Sequence, residues 1–595
     1  MGRAGAGKSV LAHRLILESL NAQADPPRVP VPFSLGTWDP HRTDLHSWLA
    51  DRLIGDYAFL DEETAEGTTL ARLLLEAGRI LPVLDGFEGI RQQHREAAIS
   101  EISRFDGPLI LTTRPAEFIT AVHAGRTLSK AAVIELEDLT FDRVQSYLQA
   151  VTSKARAAQW ESTFAYMRAN PGDPACRNLA AVLATPLLVM LARTVYHDTP
   201  HNNPTDLIDG DRFPTQAALE EHLFGAYLAT LYDPRRKTGT GPWTEQQARR
   251  WLGHLADHLT RLNTQDLTWW HLGATLPRLT RILVTGLVGL PLGAIAGVLG
   301  YVIADYLSGT TIDRGQLGQG LLEMGTGLVA GLVSGLVNEM RTARGRAPER
   351  LRLRTTRWPG SIPARALHGL GTELAVGLSV GILFSVASWL VYGFAFDFSH
   401  PSAALFVQAF VPSLTTLLGG TGVPVYLAAG LLLGLLVGIS YALVNLIVCL
   451  FSGPTDQSSA VSTWELLHTD RAVTLFRAGM VGFVVWLVNL ILVGSQYGEL
   501  LGGAFIRQGV LYGTLYGSFA ALTRLFLSAW GGWLIFARLW LPLTGRLPWR
   551  PRRFLDDAYE RGVLRQTGAV YQFRHASFRD HLVGHHRAGR PPKDL

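Results

Sequence analysis

The plainest chemistry in the chain lies in its first nine residues. Gly2-Arg3-Ala4-Gly5-Ala6-Gly7-Lys8-Ser9 satisfies the pattern G-x-x-x-x-G-K-[ST] completely. Glycines leave no Cβ in the way, so the backbone can wrap a phosphate with several N–H groups turned inward. Lys8 would carry a positive charge to the β- and γ-phosphates, and the Ser9 hydroxyl would ligate Mg²⁺. Val10 opens a run to Leu17 with helical periodicity, which sets the phosphate at a helix N-terminus. The alternative is a glycine-rich turn that binds nothing.

Two further sites follow at strand ends. Ile80-Leu81-Pro82-Val83-Leu84 is a short apolar run that stops at Asp85, the place for a carboxylate that holds Mg²⁺ through water, and Glu88 follows three residues on. Leu109-Ile110-Leu111 reads as another strand and ends in Thr112-Thr113-Arg114-Pro115, where Arg114 could sense a γ-phosphate. Val29-Pro30-Val31-Pro32-Phe33-Ser34-Leu35 is a further strand between the glycine loop and Asp85. Strands alternating with helices imply a parallel sheet that delivers these loops to its carboxyl edge.

These residues resemble the NACHT family of P-loop NTPases, within the STAND class. Leu84-Asp85-Gly86-Phe87-Glu88 is similar to the family's Walker B segment, Thr113-Arg114-Pro115 to its sensor strand end, and Ile134–Thr140 to the following strand-to-helix junction. Leu183-Ala184-Thr185-Pro186-Leu187-Leu188 resembles the helical segment whose proline approaches the nucleotide base. The resemblance covers roughly residues 2–230. It implies an ATP/ADP switch with Mg²⁺, slow hydrolysis with Glu88, Lys8 and Arg114 as catalytic residues, and homo-oligomer formation on activation. Nucleotide contacts are expected from Gly2, Gly5, Gly7, Lys8, Ser9, Val10, Pro186 and His575, and metal contacts from Ser9 and Asp85. The sequence departs from the family at Glu88-Gly89, where two adjacent acids are usual, so one acid remains to orient water. A P-loop also needs a strand before it, and only Met1 precedes Gly2. The expectation is that the natural protein starts further upstream.

Composition supplies the second theme. Charged residues make up 17% of the 595, against roughly 25% in soluble domains, and the deficit is concentrated in residues 281–543. Ile282–Ile303 is an apolar run long enough for the roughly 20 residues that cross a bilayer. Leu317–Val337, Leu374–Phe394, Val423–Leu450, Ala478–Val493 and Val510–Leu527 read as five more spans, and Trp530–Leu541 as an interfacial amphipathic helix. The loop after the second span holds eight arginines from Arg341 to Arg365, whereas Ala395–Gly422 holds no Lys or Arg. The positive-inside rule then places both termini in the cytoplasm of a multi-pass cell-membrane protein. Glu323 and Glu373 are the acids near or within spans, and Gly327, Gly331 and Gly335 form a small-residue stripe suited to close helix packing. The net charge of +5 comes without a basic stripe or reader motif, so no nucleic-acid partner is expected. Cys176 and Cys449 imply no disulfide framework.

The tail reads as helix (Phe554–Leu564), strand (Val570–Arg574) and helix (Ala576–Val583). Tyr571–Leu582 resembles the end of the NACHT winged-helix region, which assigns His575 to the ADP phosphates; packing or surface exposure is the alternative. The expected layout is an α/β P-loop NTPase core with a parallel sheet at 1–140, a helical domain and first winged-helix part at 141–275, an all-α polytopic transmembrane bundle at 276–545, and a winged-helix-like end at 546–595. Residues 213–275, with Trp243, Trp251, Trp269 and Trp270, would complete the winged helix. The expected function is a membrane-anchored nucleotide switch of bacterial type in signalling or defence, with nucleotide and lipid bilayer as partners. The alternatives are a membrane scaffold with an inert nucleotide site and an ATP-driven transporter.

Overall fold

The computed structural model describes residues 1–21, 28–62, 67–124, 128, 131–151, 154–197, 202–235, 241–262, 264–308, 463–497, 502–567 and 570–588, with a few helical residues between 332 and 446. The chain divides into two compact units. One joins Met1–Leu267 to Arg546–Leu595, and the other lies between Thr268 and Gly545.

In the first unit, β1 (Val29–Ser34), β2 (Ile80–Asp85) and β3 (Ile110–Leu111) form a parallel sheet in the order β1-β2-β3. Its register pairs Ser34 with Asp85 and Leu84 with Leu111, which brings the strand ends to one edge. The strands are continuously apolar because helices cover both faces, as parallel sheets require. α1 (Lys8–Asn21) seats Ala12 and Ile16 on Val83 and Ile110. α2 (Leu45–Asp56) is capped by the Asp44 carboxylate, which accepts from the Ser47 N–H at 2.8 Å, and it buries Leu45, Trp48, Leu49 and Leu53 at helical spacing. These side chains join Phe33, Leu84 and Phe87 in the main core, together with residues of α3 (Leu70–Glu76), α4 (Arg95–Arg104) and α5 (Pro115–Ala124). Residues 134–136, expected to lead from strand to helix, form no regular strand. Leu136 N–H donates to Met1 O at 2.8 Å, and Gly2 N–H donates to Thr113 O at 3.3 Å.

A helical layer follows with α6 (Phe141–Val151), α7 (Lys154–Ala169), α8 (Pro174–Leu183), α9 (Pro186–His197), α10 (Gln216–Leu231) and α11 (Glu245–Leu262). Asp173 caps α8 and Pro174 opens it, the usual start signals. Pro186 opens α9 after a 106° bend.

The described chain returns to the first unit with a helix–hairpin–helix, and the first helix ends at Glu560 so that Leu564, expected to close it, begins a strand instead. α16 (Pro551–Glu560) is followed by the antiparallel β4 (Leu564–Thr567) and β5 (Val570–Phe573), then α17 (Ala576–Ala588); the helices numbered between α11 and α16 belong to the other unit. Leu267 and Tyr571 exchange backbone hydrogen bonds of 2.7 and 3.2 Å, which adds the end of the α11 segment to the hairpin. Trp251 packs edge-on to Trp243 and to Phe554 at 5.3 and 5.1 Å, so two of the four expected tryptophans close this module. Trp269 and Trp270 belong to the second unit.

In the second unit α12 (Arg278–Ser308) contains residues 282–303 as one helix with Pro291 inside. α13 (Thr463–Tyr497) starts fifteen residues before the expected fifth span, and α14 (Gly503–Phe526) runs back along it. Gly509, Gly513 and Gly517 of α14 lie against Leu490, Trp486 and Gly482; a methyl group built on Gly517 would come within 2.7 Å of the Gly482 carbonyl oxygen. Glycine at every fourth position permits this backbone approach. α15 (Ala529–Leu543), with a π-helical stretch from Trp533 to Trp540, turns 79° from α14. Among the described residues, Thr463–Ile491 is long and apolar enough to cross a membrane, or up to three spans are present if each of two bent pairs counts as one. One of those pairs, α8 with α9, belongs to the first unit. Among the described residues the structure therefore supports one to three candidate spans. The span Leu317–Val337, most of Leu374–Phe394, part of Val423–Leu450, the arginine-rich loop, Glu323, Glu373 and the Gly327–Gly335 stripe lie outside the described residues.

Candidate functional site

The glycine loop turns through Gly5 (φ +78°) and Gly7 (φ +91°), conformations that residues with a Cβ rarely hold. Gly5 also meets α9: a Cβ there would lie 2.9 Å from Leu187 Cβ, and Leu187 N–H donates to Gly5 O at 3.3 Å. The Lys8 ammonium folds back to donate to Gly2 O (2.8 Å) and Arg3 O (3.0 Å). Burial lowers its pKa, against the opposing pull of Glu88.

Asp85 ends β2 beside this loop. Its Oδ2 accepts from Ser9 Oγ at 2.8 Å, and its Oδ1 accepts from Thr112 Oγ1 at 2.5 Å. The Thr112 hydroxyl also accepts from Gly86 N–H at 3.0 Å, so the end of β3 fixes the carboxylate and the turn after it. Gly86 takes a left-handed φ of +80° to start that turn. Glu88 Oε1 sits 3.9 Å from Lys8 Nζ and 3.4 Å from Arg114 Nε, and Arg114 Nη1 is 3.6 Å from Glu117 Oε1. Arg114 thus lies against acids of its own domain, at the strand tip where it was expected.

All of this opens on one cavity of about 950 Å³. Gly5, Gly7, Lys8, Ser9, Val10, Asp85, Glu88, Arg114, Pro186 and His575 line it, so ten of the eleven expected site residues share one space. Gly2 does not line the cavity; it forms the base of the loop. Residues 1–155 match the NACHT domain.

The match supports a NACHT-type nucleotide-binding NTPase over these residues, in keeping with the parallel sheet. No significant match was found among curated proteins or among solved structures. Magnesium fits the residues present, since the oxygens of Ser9 and Asp85 lie 2.8 Å apart at the cavity wall. No cluster of three or more His, Cys, Asp or Glu among the described residues is placed to hold a metal by itself.

The far wall of the cavity is basic, with Arg565 on β4, Arg574 and His575 after β5, and Arg579 on α17. Burial, then the Arg574 and Arg565 charges, push the His575 pKa down to about 4, so its imidazole is neutral at pH 7. Its Nε2 has no hydrogen-bond partner. Sequence reasoning missed Thr112 as the residue that holds Asp85. It also missed Gln265, Arg193 and Arg565, which sit in no motif, and Arg574 and Arg579, which fall within Tyr571–Leu582 but were given no role. Thr112 was the findable one: the threonine directly after an apolar strand lies level with Asp85 once the strands are paired.

In the second unit, Asp470 is buried on α13, and its carboxylate accepts from Trp530 N–H at 2.9 Å at the start of α15. The acids singled out from sequence, Glu323 and Glu373, lie outside the described residues, whereas Asp470 drew no attention there.

Proposed function

We propose that the chain is a membrane-anchored STAND-type switch. It binds ATP or ADP with Mg²⁺, hydrolyses ATP slowly, and passes the state of the nucleotide to the apolar helices inserted between the two parts of its first unit. The observation that carries this reading is the single cavity shared by the glycine loop, Asp85, Arg114, Pro186 and His575. Lys8 binds the β- and γ-phosphates, Ser9 and Asp85 hold the metal ion, Glu88 accepts a proton from the attacking water, and Pro186 packs against the base. Neutral His575, with a free Nε2, offers a hydrogen bond to a phosphate oxygen. Connectivity supports the coupling, because Leu267 and Arg546 bracket the second unit and both belong to the first.

Both termini are assigned to the cytoplasm, where ATP is available, and the role to signalling or defence through assembly of copies in the ATP state. The test is ADP and ATP binding by the detergent-solubilised chain beside Lys8→Ala. Binding that falls at least 100-fold in the variant is expected, since a charge on two phosphates is removed. Equal binding by both proteins would leave a membrane scaffold with an inert site.

A further inference from the structure

We infer that Gln265 is a positioning residue for ATP hydrolysis, delivered to the Walker B turn by the segment that closes the C-terminal hairpin. The inference rests on the nucleotide-site reading above and deepens it.

Three observations place Gln265. Its amide nitrogen lies over the turn after Asp85: methyl groups built on Gly86 and Gly89 would sit 3.8 and 3.7 Å from Gln265 Nε2. The residue lines the same cavity as Lys8, Asp85 and Glu88. Its backbone is held on the hairpin side, since Asp266 Oδ1 accepts from Gln572 Nε2 at 2.6 Å and Leu267 bridges to Tyr571. Gln265 therefore belongs to the hairpin by its backbone and to the Walker B turn by its side chain.

The chemistry gives this placement a use. In hydrolysis the water oxygen forms a bond to the γ-phosphorus. The bond from that phosphorus to the bridging oxygen breaks, and its electron pair leaves on ADP. The water proton passes to the Glu88 carboxylate. With glycine at 89 there is one carboxylate here to orient the water, and a neutral amide nearby supplies the second hydrogen-bonding contact without exchanging a proton. Glutamine serves this end elsewhere in P-loop chemistry because its amide both donates and accepts. Since the hairpin carries the amide, hydrolysis runs only while the hairpin module sits on the NTPase core, and an opened switch keeps its ATP.

The experiment compares wild type, Gln265→Ala, Gln265→Glu and Lys8→Ala as full chains in detergent. It measures ATP turnover, ATP and ADP affinity, and the extra affinity for ADP with aluminium fluoride, a mimic of the transferring phosphoryl group. The alanine variant is expected to lose about 100-fold in turnover and a similar factor in the aluminium fluoride gain, with ATP and ADP affinity changed less than threefold. The glutamate variant keeps the shape but not the N–H donors and is expected to stay slow. Wild-type turnover by Gln265→Ala overturns the proposal, and so does a loss of ADP affinity equal to the loss of turnover, which marks a structural role. A wild type that neither turns over ATP nor gains affinity with aluminium fluoride also overturns it. If Lys8→Ala binds ADP as wild type does, the nucleotide-site reading fails first, and the two failures are told apart.

Discussion

Thr112→Val isolates the bond that aims the metal-binding carboxylate. The substitution keeps the β-branched shape at a residue that is 8% exposed, so strand preference and packing change little. It removes a hydroxyl that donates to Asp85 Oδ1 at 2.5 Å and accepts from Gly86 N–H at 3.0 Å. A hydrogen bond to a charged group contributes about 1.5–3 kcal/mol and a neutral one about 0.5–1.5 kcal/mol. Asp85 borders an open cavity, so water replaces part of the loss and the lower end applies, about 2 kcal/mol, or about 30-fold in an equilibrium constant. The assay is ADP affinity of the solubilised chain with Mg²⁺ and with chelator. Thr112 acts through Asp85 and the turn that follows it, so the gain from Mg²⁺ should shrink by about 30-fold, with metal-free affinity within about threefold of wild type. Equal losses with and without Mg²⁺ would show that Thr112 merely supports the fold. No loss in either condition would show that Ser9 suffices to hold Asp85.

Gly5→Ala should lower ADP affinity at least tenfold and stability by about 1–2 kcal/mol, since φ +78° disfavours a side chain and the new methyl group meets Leu187 at 2.9 Å. Titration calorimetry and thermal unfolding check it, and wild-type affinity would mean that the loop re-forms around the methyl group. The first unit should also lose stability in mild acid. Burial, then Arg574 and Arg565, lower His575 to about 4, and burial, then His585 and Arg249, lower His581 to about 4. An unfolded imidazole titrates near 6.5. Between those values the unfolded chain binds protons that the folded one refuses, so stability is full above pH 6.5 and declines as pH falls toward 4. Melting temperature across pH 4–8 should show that slope, and His581→Gln should flatten it; an unchanged slope would exclude His581 as a source.

What was legible in the sequence followed from local signals. An apolar run that stops at an acid, as at Asp85, marks a strand end under almost any packing, and a glycine loop before a periodic helix marks a phosphate cradle. The helix–hairpin–helix from Pro551 to Ala588 was readable because alternation at 570–573 contrasts with helical spacing on either side. Residues whose role is set by distant partners stayed hidden. Gln265 sits in a polar linker with no periodicity, and its value lies in meeting Gly86, far away in the chain. Arg565 and Arg574 read as ordinary surface charges of a short hairpin until the hairpin is folded over the cavity. Asp470 lies in a His-Thr-Asp-Arg stretch that resembles the polar flank of a span, so the fifth apolar helix was read to begin too late. Its capping of the Trp530 N–H could not be inferred without the turn before α15.

The closure of the first unit explains how an insertion of this size is tolerated. The two parts meet through bonds of very long sequence separation. Gly241 N–H donates to Asp557 Oδ1 at 2.9 Å, Arg587 Nε to Asp257 Oδ1 at 3.0 Å, and the Arg561 guanidinium to Leu231 O. Loop-closure entropy rises only with the logarithm of loop length, about 0.6 kcal/mol for each doubling. A connection of hundreds of residues therefore costs only a few such increments over a short loop. Against that stands a contiguous interface with Trp243, Trp251 and Phe554 in mutual contact and Asp257 buried between Arg261 and Arg587. Burying one large aromatic side chain contributes about 1.5–3 kcal/mol, so this trio alone offsets several doublings. The same arithmetic makes the two parts depend on each other. α16, the hairpin and α17 together are too small to hold a core of their own, and the segment ending at Leu267 lacks a strand partner without β5. Whatever force the inserted helices exert on Leu267 or Arg546 is thus applied to the element that carries Gln265, Arg574 and His575 to the cavity. On the proposed reading, the nucleotide site and the inserted helices need no separate relay between them.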